Sequence, residues 1–153
     1  MPTISFSAGR DGSTSPDEKK QFFETFVANC WEQAKSEEEK SGCPDLAIDA
    51  CLEKYPSTQG QVACLGAGHD FWNESMESAL KELRGKHSTE EVAALENSQK
   101  AWREYADSRI AFKEKLFEGK GTMYQPWIAN SKMKVTKERA LELEQYVAEY
   151  SSE

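Results

Sequence analysis

The sequence lacks the features that identify several large classes of protein. No run of about 18 apolar residues occurs, so the sequence predicts no transmembrane helix. It has no glycine-rich phosphate loop and no nucleophile elbow, and no pair of carboxylates stands out as a glycosidase pair. The only histidines, His69 and His87, do not have the spacing of a helical metal pair. We therefore expect no enzymatic activity, no metal and no cofactor.

Positive charge is also scarce in this chain. The 153 residues include 19 Lys and Arg against 27 Asp and Glu, which gives a net charge of −8. Nucleic-acid binding needs a basic face, and anionic membrane surfaces attract basic segments, so the acidic balance argues against both. It permits a basic protein partner, whose approach it would steer. The same excess of negative charge would also occur if the charged surface only kept the protein soluble.

The N-terminus has neither the basic region nor the apolar core of a signal peptide. Residues 1–14 are polar and rich in Gly and Ser, so we expect them to be disordered. We expect a mature chain from which a signal peptide was removed and to which a Met was added.

Cysteines are few but even in number: Cys30, Cys43, Cys51 and Cys64. A zinc site needs closely spaced Cys or His pairs, whereas 12, 7 and 12 residues separate these neighbours. Four buried thiols of a cytosolic protein are the alternative. The even count favours two disulfides, which predicts a periplasmic or secreted protein.

Helical periodicity runs through residues 15–150. The first helix is predicted to start at Ser15-Pro16. It is predicted to end near Ser41-Gly42, after a solvated run of three glutamates. Pro44 is predicted to open a short second helix. A capping box at Thr58 and Gln61 predicts a third helix to Gly85.

A further capping box, at Ser88 and Glu91, predicts a long fourth helix that ends at Gly119-Lys120-Gly121. A loop is expected over residues 122–126, followed by a last helix to about Tyr150. Strand alternation is absent. These patterns predict an all-α, antiparallel helical bundle of about four to five helices, stapled by disulfides, that forms a single domain over residues 15–150.

The fourth helix carries polar residues among aromatic ones. Leu95, Gln99, Trp102, Tyr105 and Asp107 match, in order and spacing, a helix of the lysozyme inhibitor LprI-like family. Further matches lie on both sides of it: Cys64, Trp72, Leu83, Gly121-Thr122-Met123, Thr136, Arg139-Ala140 and Leu143. The chain therefore resembles this family over about residues 43–147, and residues 15–42 look like an extra N-terminal helix.

The resemblance also implies a disulfide pairing. Family members with only two cysteines retain the pair that corresponds to Cys51 and Cys64, which leaves Cys30 for Cys43. Helix geometry offers a rival, because straight antiparallel helices would bring Cys30 level with Cys51 and Cys43 level with Cys64.

The matched motif residues are expected to be structural: Gln99, Trp102, Tyr105, Asp107 and Arg139. Gln99 lies between core positions and should be hydrogen-bonded if buried. Trp102 is predicted to anchor the core. The chain departs from the family at Ala106, where the family has Arg, and Arg109 stands where that Arg would find a Glu.

The resemblance implies a periplasmic or secreted protein that binds a lysozyme or a related peptidoglycan hydrolase. The candidate contact is the segment from Gly119 to Trp127, with Met123, Tyr124 and Trp127 exposed. A simple helix connection that closes on the core would use the same residues. The alternative function is an envelope immunity or interaction protein that neutralises a secreted bacterial toxin.

Overall fold

Five α-helices follow one another in a computed structural model that describes residues 16–150, and this range contains no strand. They are α1 (Pro16–Gln33), α2 (Glu37–Lys54), α3 (Thr58–Lys86), α4 (Thr89–Leu116) and α5 (Gln125–Tyr150), with a single 3₁₀ turn at Thr122–Tyr124 before α5. The predicted all-α class is confirmed. The segment expected to be disordered, residues 1–14, and the cap at Ser15 lie outside the described residues.

Internal contacts divide the chain into two compact units, with the division between Gly68 and His69 inside α3. The N-terminal unit contains α1, α2 and the first part of α3. The C-terminal unit contains the rest of α3 together with α4 and α5. The single domain expected over residues 15–150 stays a prediction.

The boundary between α1 and α2 differs from the sequence prediction. The chain leaves the helical conformation after Gln33, and α2 begins at Glu37, so the glutamate run starts a helix and does not end one. The Ser36 hydroxyl accepts a hydrogen bond from the backbone N–H of Glu39 at 3.1 Å. Ser36 is therefore the N-cap, and the carboxylates that follow it favour a helix start through the helix dipole.

Pro44 lies inside α2 and does not open it. A proline in a helix interior has no N–H to offer the carbonyl four residues earlier, which here belongs to Lys40. The indole Nε1–H of Trp31 donates to that carbonyl oxygen at 3.2 Å. Because α1 supplies the missing donor, α2 continues through the proline.

Two disulfides hold the N-terminal unit together: Cys30–Cys43 joins α1 to α2, and Cys51–Cys64 joins α2 to α3. This is the pairing that the resemblance implies, and the described residues contain no free cysteine. Cys43, Cys51 and Cys64 are fully buried, whereas Cys30 is half-buried. Each bridge links cysteines 13 positions apart.

Thiol titration of the unfolded but unreduced protein should find almost no free thiol. Each bridge should add about 2–4 kcal/mol to the free energy of unfolding, because it restricts the unfolded chain. Four reactive thiols in the unreduced protein would contradict the disulfides and the oxidising compartment together.

Mild reductant should open Cys30–Cys43 first, since Cys30 is the cysteine that solvent reaches, and mass spectrometry after thiol labelling would show this order.

Helix caps place the remaining boundaries. The hydroxyl of Ser57, not that of Thr58, accepts from the N–H of Gly60 at 3.0 Å at the start of α3. The predicted capping box of α4 is present, with Ser88 and Glu91 bonded to each other through side chain and backbone. The backbone N–H of Ser88 holds the pKa of Glu91 below its usual value.

The core of the C-terminal unit draws mainly on α3 and α5. Trp72, Met76, Leu80 and Leu83 of α3 and Leu143 of α5 are buried. In contrast, α4 buries only Gln99 and Ala106. The helix that carries the matched motif therefore meets the core through a narrow face, and much of its aromatic surface stays outside.

Several apolar residues that periodicity places inside are exposed: Tyr105, Phe112, Leu116, Tyr146 and Tyr150. Periodicity predicts which residues share one side of a helix, but the covering of that side depends on neighbouring helices. Within the described residues, no helix is long and apolar enough to cross a membrane.

Candidate functional site

Gln99 and Arg139 form a buried polar pair between α4 and α5. The guanidinium Nε–H of Arg139 donates to Oε1 of Gln99 at 2.9 Å, although 40 positions separate them in sequence. The amide nitrogen of Gln99 donates to the sulfur of Met76 on α3 at 3.5 Å. One side chain of the matched motif thus ties together all three helices of the C-terminal unit.

The rest of the Arg139 guanidinium is also bonded. Its Nη2 donates to the hydroxyl of Ser98 at 3.0 Å, and its Nη1 donates to a carboxylate oxygen of Glu142 at 2.6 Å. The Arg139 side chain is 5 % exposed, whereas that of Glu142 is 48 % exposed. A buried charge is tolerated when it is paired and hydrogen-bonded, so this arrangement suits a structural role for Arg139.

The other motif residues lie further out on α4. Trp102 is half-buried, and the Arg103 guanidinium carbon lies 5.6 Å from its ring centroid. Tyr105 and Asp107 are exposed, and the Tyr105 hydroxyl accepts from Nη1 of Arg109 at 3.3 Å. Their structural role, and that of Trp102 as a core anchor, stay predictions.

At the position where the family has Arg, Ala106 is buried. Arg109 follows Ala106 three residues later on α4, and its Nη1 lies 3.8 Å from a carboxylate oxygen of Glu138 on α5. This contact joins α4 to α5.

Phe117, Tyr124 and Trp127 form an aromatic cluster at the end where α4 passes into α5. The rings of Phe117 and Tyr124 stack with centroids 4.4 Å apart and planes 5° from parallel. Trp127 meets both of them edge-on, at 5.8 Å from Phe117 and 5.6 Å from Tyr124. Each such pair contributes about 0.5–1.5 kcal/mol beyond the apolar area that it buries, so the three rings support one another.

The aromatic cluster is only partly covered. Trp127 is 59 % exposed and the adjacent Met123 is 66 % exposed, while Phe117 and Tyr124 are half-buried. Two further exposed apolar residues, Phe112 and Leu116, precede the cluster one helical turn apart on α4. Of the three residues predicted as an exposed contact, Met123 and Trp127 are exposed, whereas Tyr124 is half-buried because Phe117 stacks on its ring.

Two glycines shape the turn that holds this surface. Gly119 and Gly121 have φ angles of 76° and 94°, which side chains disfavour. Between them, the backbone N–H of Lys120 donates to the carbonyl of Phe117 at 3.0 Å and closes the turn. The 3₁₀ turn and the start of α5 at Gln125 then place Tyr124 against Phe117 and leave Met123 outside.

The described residues contain no group of three or more His, Cys, Asp or Glu side chains that could hold a metal ion. Around the aromatic cluster, the C-terminal unit presents aromatic and aliphatic side chains on its surface. Such a surface is suited to burial against another protein, because rigid aromatic side chains lose little entropy on binding.

Comparison with known protein families shows the family to which this chain belongs. A family model described as lysozyme inhibitor LprI matches residues 51–143, which is more than half of the chain. The protein belongs to the LprI family. The match includes the buried Gln99–Arg139 pair and the whole aromatic cluster. No curated protein and no solved structure matches the chain.

The extent of the LprI match agrees with the sequence resemblance over residues 43–147 and lies within it. It begins at Cys51, so α1 and most of α2 lie outside it. The Cys51–Cys64 bridge falls inside the LprI match, and Cys30–Cys43 falls outside it.

Sequence reasoning missed two residues of this surface. Phe117 continues the apolar periodicity of the long helix, and its ring stacks on Tyr124. Lys120 lies within the Gly119-Lys120-Gly121 sequence that predicts the end of this helix. The signal for both was local: an aromatic residue and a lysine flank a glycine turn, with two more aromatic residues directly after it.

Proposed function

We propose that this LprI-family protein inhibits a lysozyme or a related peptidoglycan hydrolase by binding it through the aromatic cluster and Met123. The observation that carries the proposal is the exposure of Trp127 and Met123 beside a stacked pair of rings. Energetically dominant residues of protein interfaces are enriched in Trp and Tyr. The chain acts in this proposal as a binding protein and carries out no chemistry of its own.

The geometry supports an anchor that is ready before the partner arrives. Trp127 is held edge-on by Phe117 and Tyr124, so its exposed face keeps one orientation. Binding then requires less ordering of side chains at the contact, which favours affinity. The turn at Gly119 and Gly121 projects Met123 beside these rings.

The disulfides support an extracytoplasmic location for this activity. Disulfides persist in the periplasm and outside the cell and are rare in the cytosol. Peptidoglycan hydrolases act in those same compartments. An inhibitor with two disulfides would therefore keep its fold in the place where its target works.

The test is a cell-wall lysis assay with a panel of c-type, g-type and i-type lysozymes. Micromolar protein should slow lysis by at least one enzyme of the panel, and the protection should weaken as salt is raised, because surface charges are screened over about 8–10 Å at physiological ionic strength. Lysis at the uninhibited rate with every enzyme would overturn the proposal and favour the toxin-immunity alternative.

A further inference from the structure

The charge of this acidic chain is unevenly distributed. Residues 109–140 contain eight Lys and Arg but only three Asp and Glu, a net charge of +5, whereas the whole chain has a net charge of −8. The other residues together therefore carry −13. The basic stretch comprises the end of α4, the glycine turn and the first part of α5, so it contains the whole proposed binding surface.

Most cations near the turn already have partners. Lys115 lies 2.9 Å from a carboxylate oxygen of Glu118, and Nζ of Lys113 donates to the hydroxyl of Ser131 at 2.7 Å. Arg109 contacts both Tyr105 and Glu138. These three side chains are therefore engaged within the C-terminal unit.

Lys120 differs from them. Residues 109–124 contain four cations: Arg109, Lys113, Lys115 and Lys120. Of these four side chains, that of Lys120 makes neither an ion pair nor a hydrogen bond with any residue in the described range 16–150. It is exposed and lies at the tip of the turn between Gly119 and Gly121. Its backbone is bonded to Phe117, so the lysine is fixed next to the aromatic cluster while its side chain stays available.

We propose that Lys120 enters the acidic catalytic cleft of the hydrolase and pairs with a catalytic carboxylate, while Trp127 and Met123 pack on the rim of the cleft. This inference rests on the proposed function. Most glycosidases place two carboxylates on either side of the bond that they cleave. A lysine ammonium on a long, flexible stem is a compact positive charge that can reach such a pair.

The division of charge then gives the two regions separate roles. The negative remainder of the chain attracts the basic body of a lysozyme over long range, which mainly raises the association rate. The positive turn meets the negative cleft only at contact, which mainly slows dissociation. In this way, an inhibitor with a negative net charge can present the positively charged turn at Lys120 to the acidic catalytic cleft of a basic enzyme.

The experiment measures association and dissociation rates for the tightest-binding lysozyme of the panel. Lys120→Ala should weaken affinity by about 30-fold or more, almost all of it through faster dissociation, because it removes one partner of a desolvated charge pair. Lys120→Glu should weaken it further, and Lys120→Arg should retain most of it. Lys81→Glu, an equal charge change at an exposed lysine of α3, should leave the dissociation rate within about twofold.

The pairing itself is tested with the same lysozyme after its catalytic glutamate is changed to glutamine. Against that enzyme, Lys120→Ala should cost much less than against the unmodified enzyme. Equal losses with both enzymes, or tight binding by Lys120→Glu, would overturn the role of Lys120 and leave the proposed function standing. Failure of the unmodified protein to bind any enzyme of the panel would overturn the proposed function and this inference with it.

Discussion

Arg139→Ala should lower the free energy of unfolding by about 2–4 kcal/mol, because it leaves buried polar groups without partners. The change removes hydrogen bonds to Gln99, Ser98 and Glu142. Gln99 is buried, so its amide oxygen would lose its partner without gaining water. Denaturation by urea, followed by circular dichroism, measures the loss.

Arg109→Ala is the matched control for this prediction. Arg109 also faces a carboxylate of α5, but its side chain is 41 % exposed and the distance is 3.8 Å. Exposed ion pairs contribute roughly 0–1 kcal/mol, so the control should be nearly as stable as the unmodified protein. Equal losses for the two arginines would show that burial of Arg139 does not matter for the fold.

A double variant separates pairing from packing. Arg139→Met with Gln99→Leu replaces both polar partners by apolar side chains of similar length, which is often close to neutral. The double variant should therefore be more stable than the sum of the two single changes predicts. Strict additivity would mean that the two side chains are not coupled.

Trp127→Ala should weaken binding to the target hydrolase by about 30-fold or more, since truncation of a central aromatic anchor costs about 2 kcal/mol or more. The substitution should also lower the free energy of unfolding by about 1–3 kcal/mol, because it removes two edge-on ring contacts, so the affinity is measured where the variant is fully folded. Isothermal titration calorimetry gives the affinity, and thermal unfolding in the same buffer gives the stability.

Tyr150→Ala provides the matched control for Trp127. Tyr150 is an aromatic residue of the same helix, it is 56 % exposed, and it lies outside the aromatic cluster. Its removal should leave the affinity unchanged within about twofold, as most residues outside the centre of an interface are nearly neutral. If Tyr150→Ala weakens binding as much as Trp127→Ala, the contact does not centre on the cluster.

Local chemistry explains why most helix boundaries could be predicted. The Ser88–Glu91 box and the Gly119 and Gly121 turn depend on residues within four positions of one another, so the sequence displays them directly. The boundary between α1 and α2 was mispredicted although the Ser36 cap of α2 is also local, because Pro44 indicated a helix start at a later position. Pro44 is tolerated inside α2 because Trp31, which is distant in sequence, supplies a hydrogen bond.

The site shows the same division between local and distant information. Met123, Tyr124 and Trp127 could be proposed as a contact because they follow a glycine turn. The buried pair of Gln99 and Arg139 joins residues 40 positions apart, so its geometry depends on how α4 and α5 pack. A family motif identifies such residues, but only the packing shows which of them touch.

Helical periodicity also overestimated how much of α4 and α5 is covered. Phe112 and Tyr150 share the spacing of core residues, yet both are exposed. An apolar stripe is buried only where a second helix lies over it. The uncovered parts of these stripes leave apolar side chains exposed, and the proposed contact with a hydrolase would use part of them.

Hydrogen exchange of the protein with and without its bound lysozyme tests the central claim most directly. Amides of the glycine turn and the 3₁₀ turn should exchange readily in the free protein, because few backbone hydrogen bonds protect them. We predict that the lysozyme slows exchange in peptides that span residues 117–127 and leaves α1 and α2 unchanged. Unchanged exchange in residues 117–127, or slowed exchange confined to another part of the chain, would contradict the account.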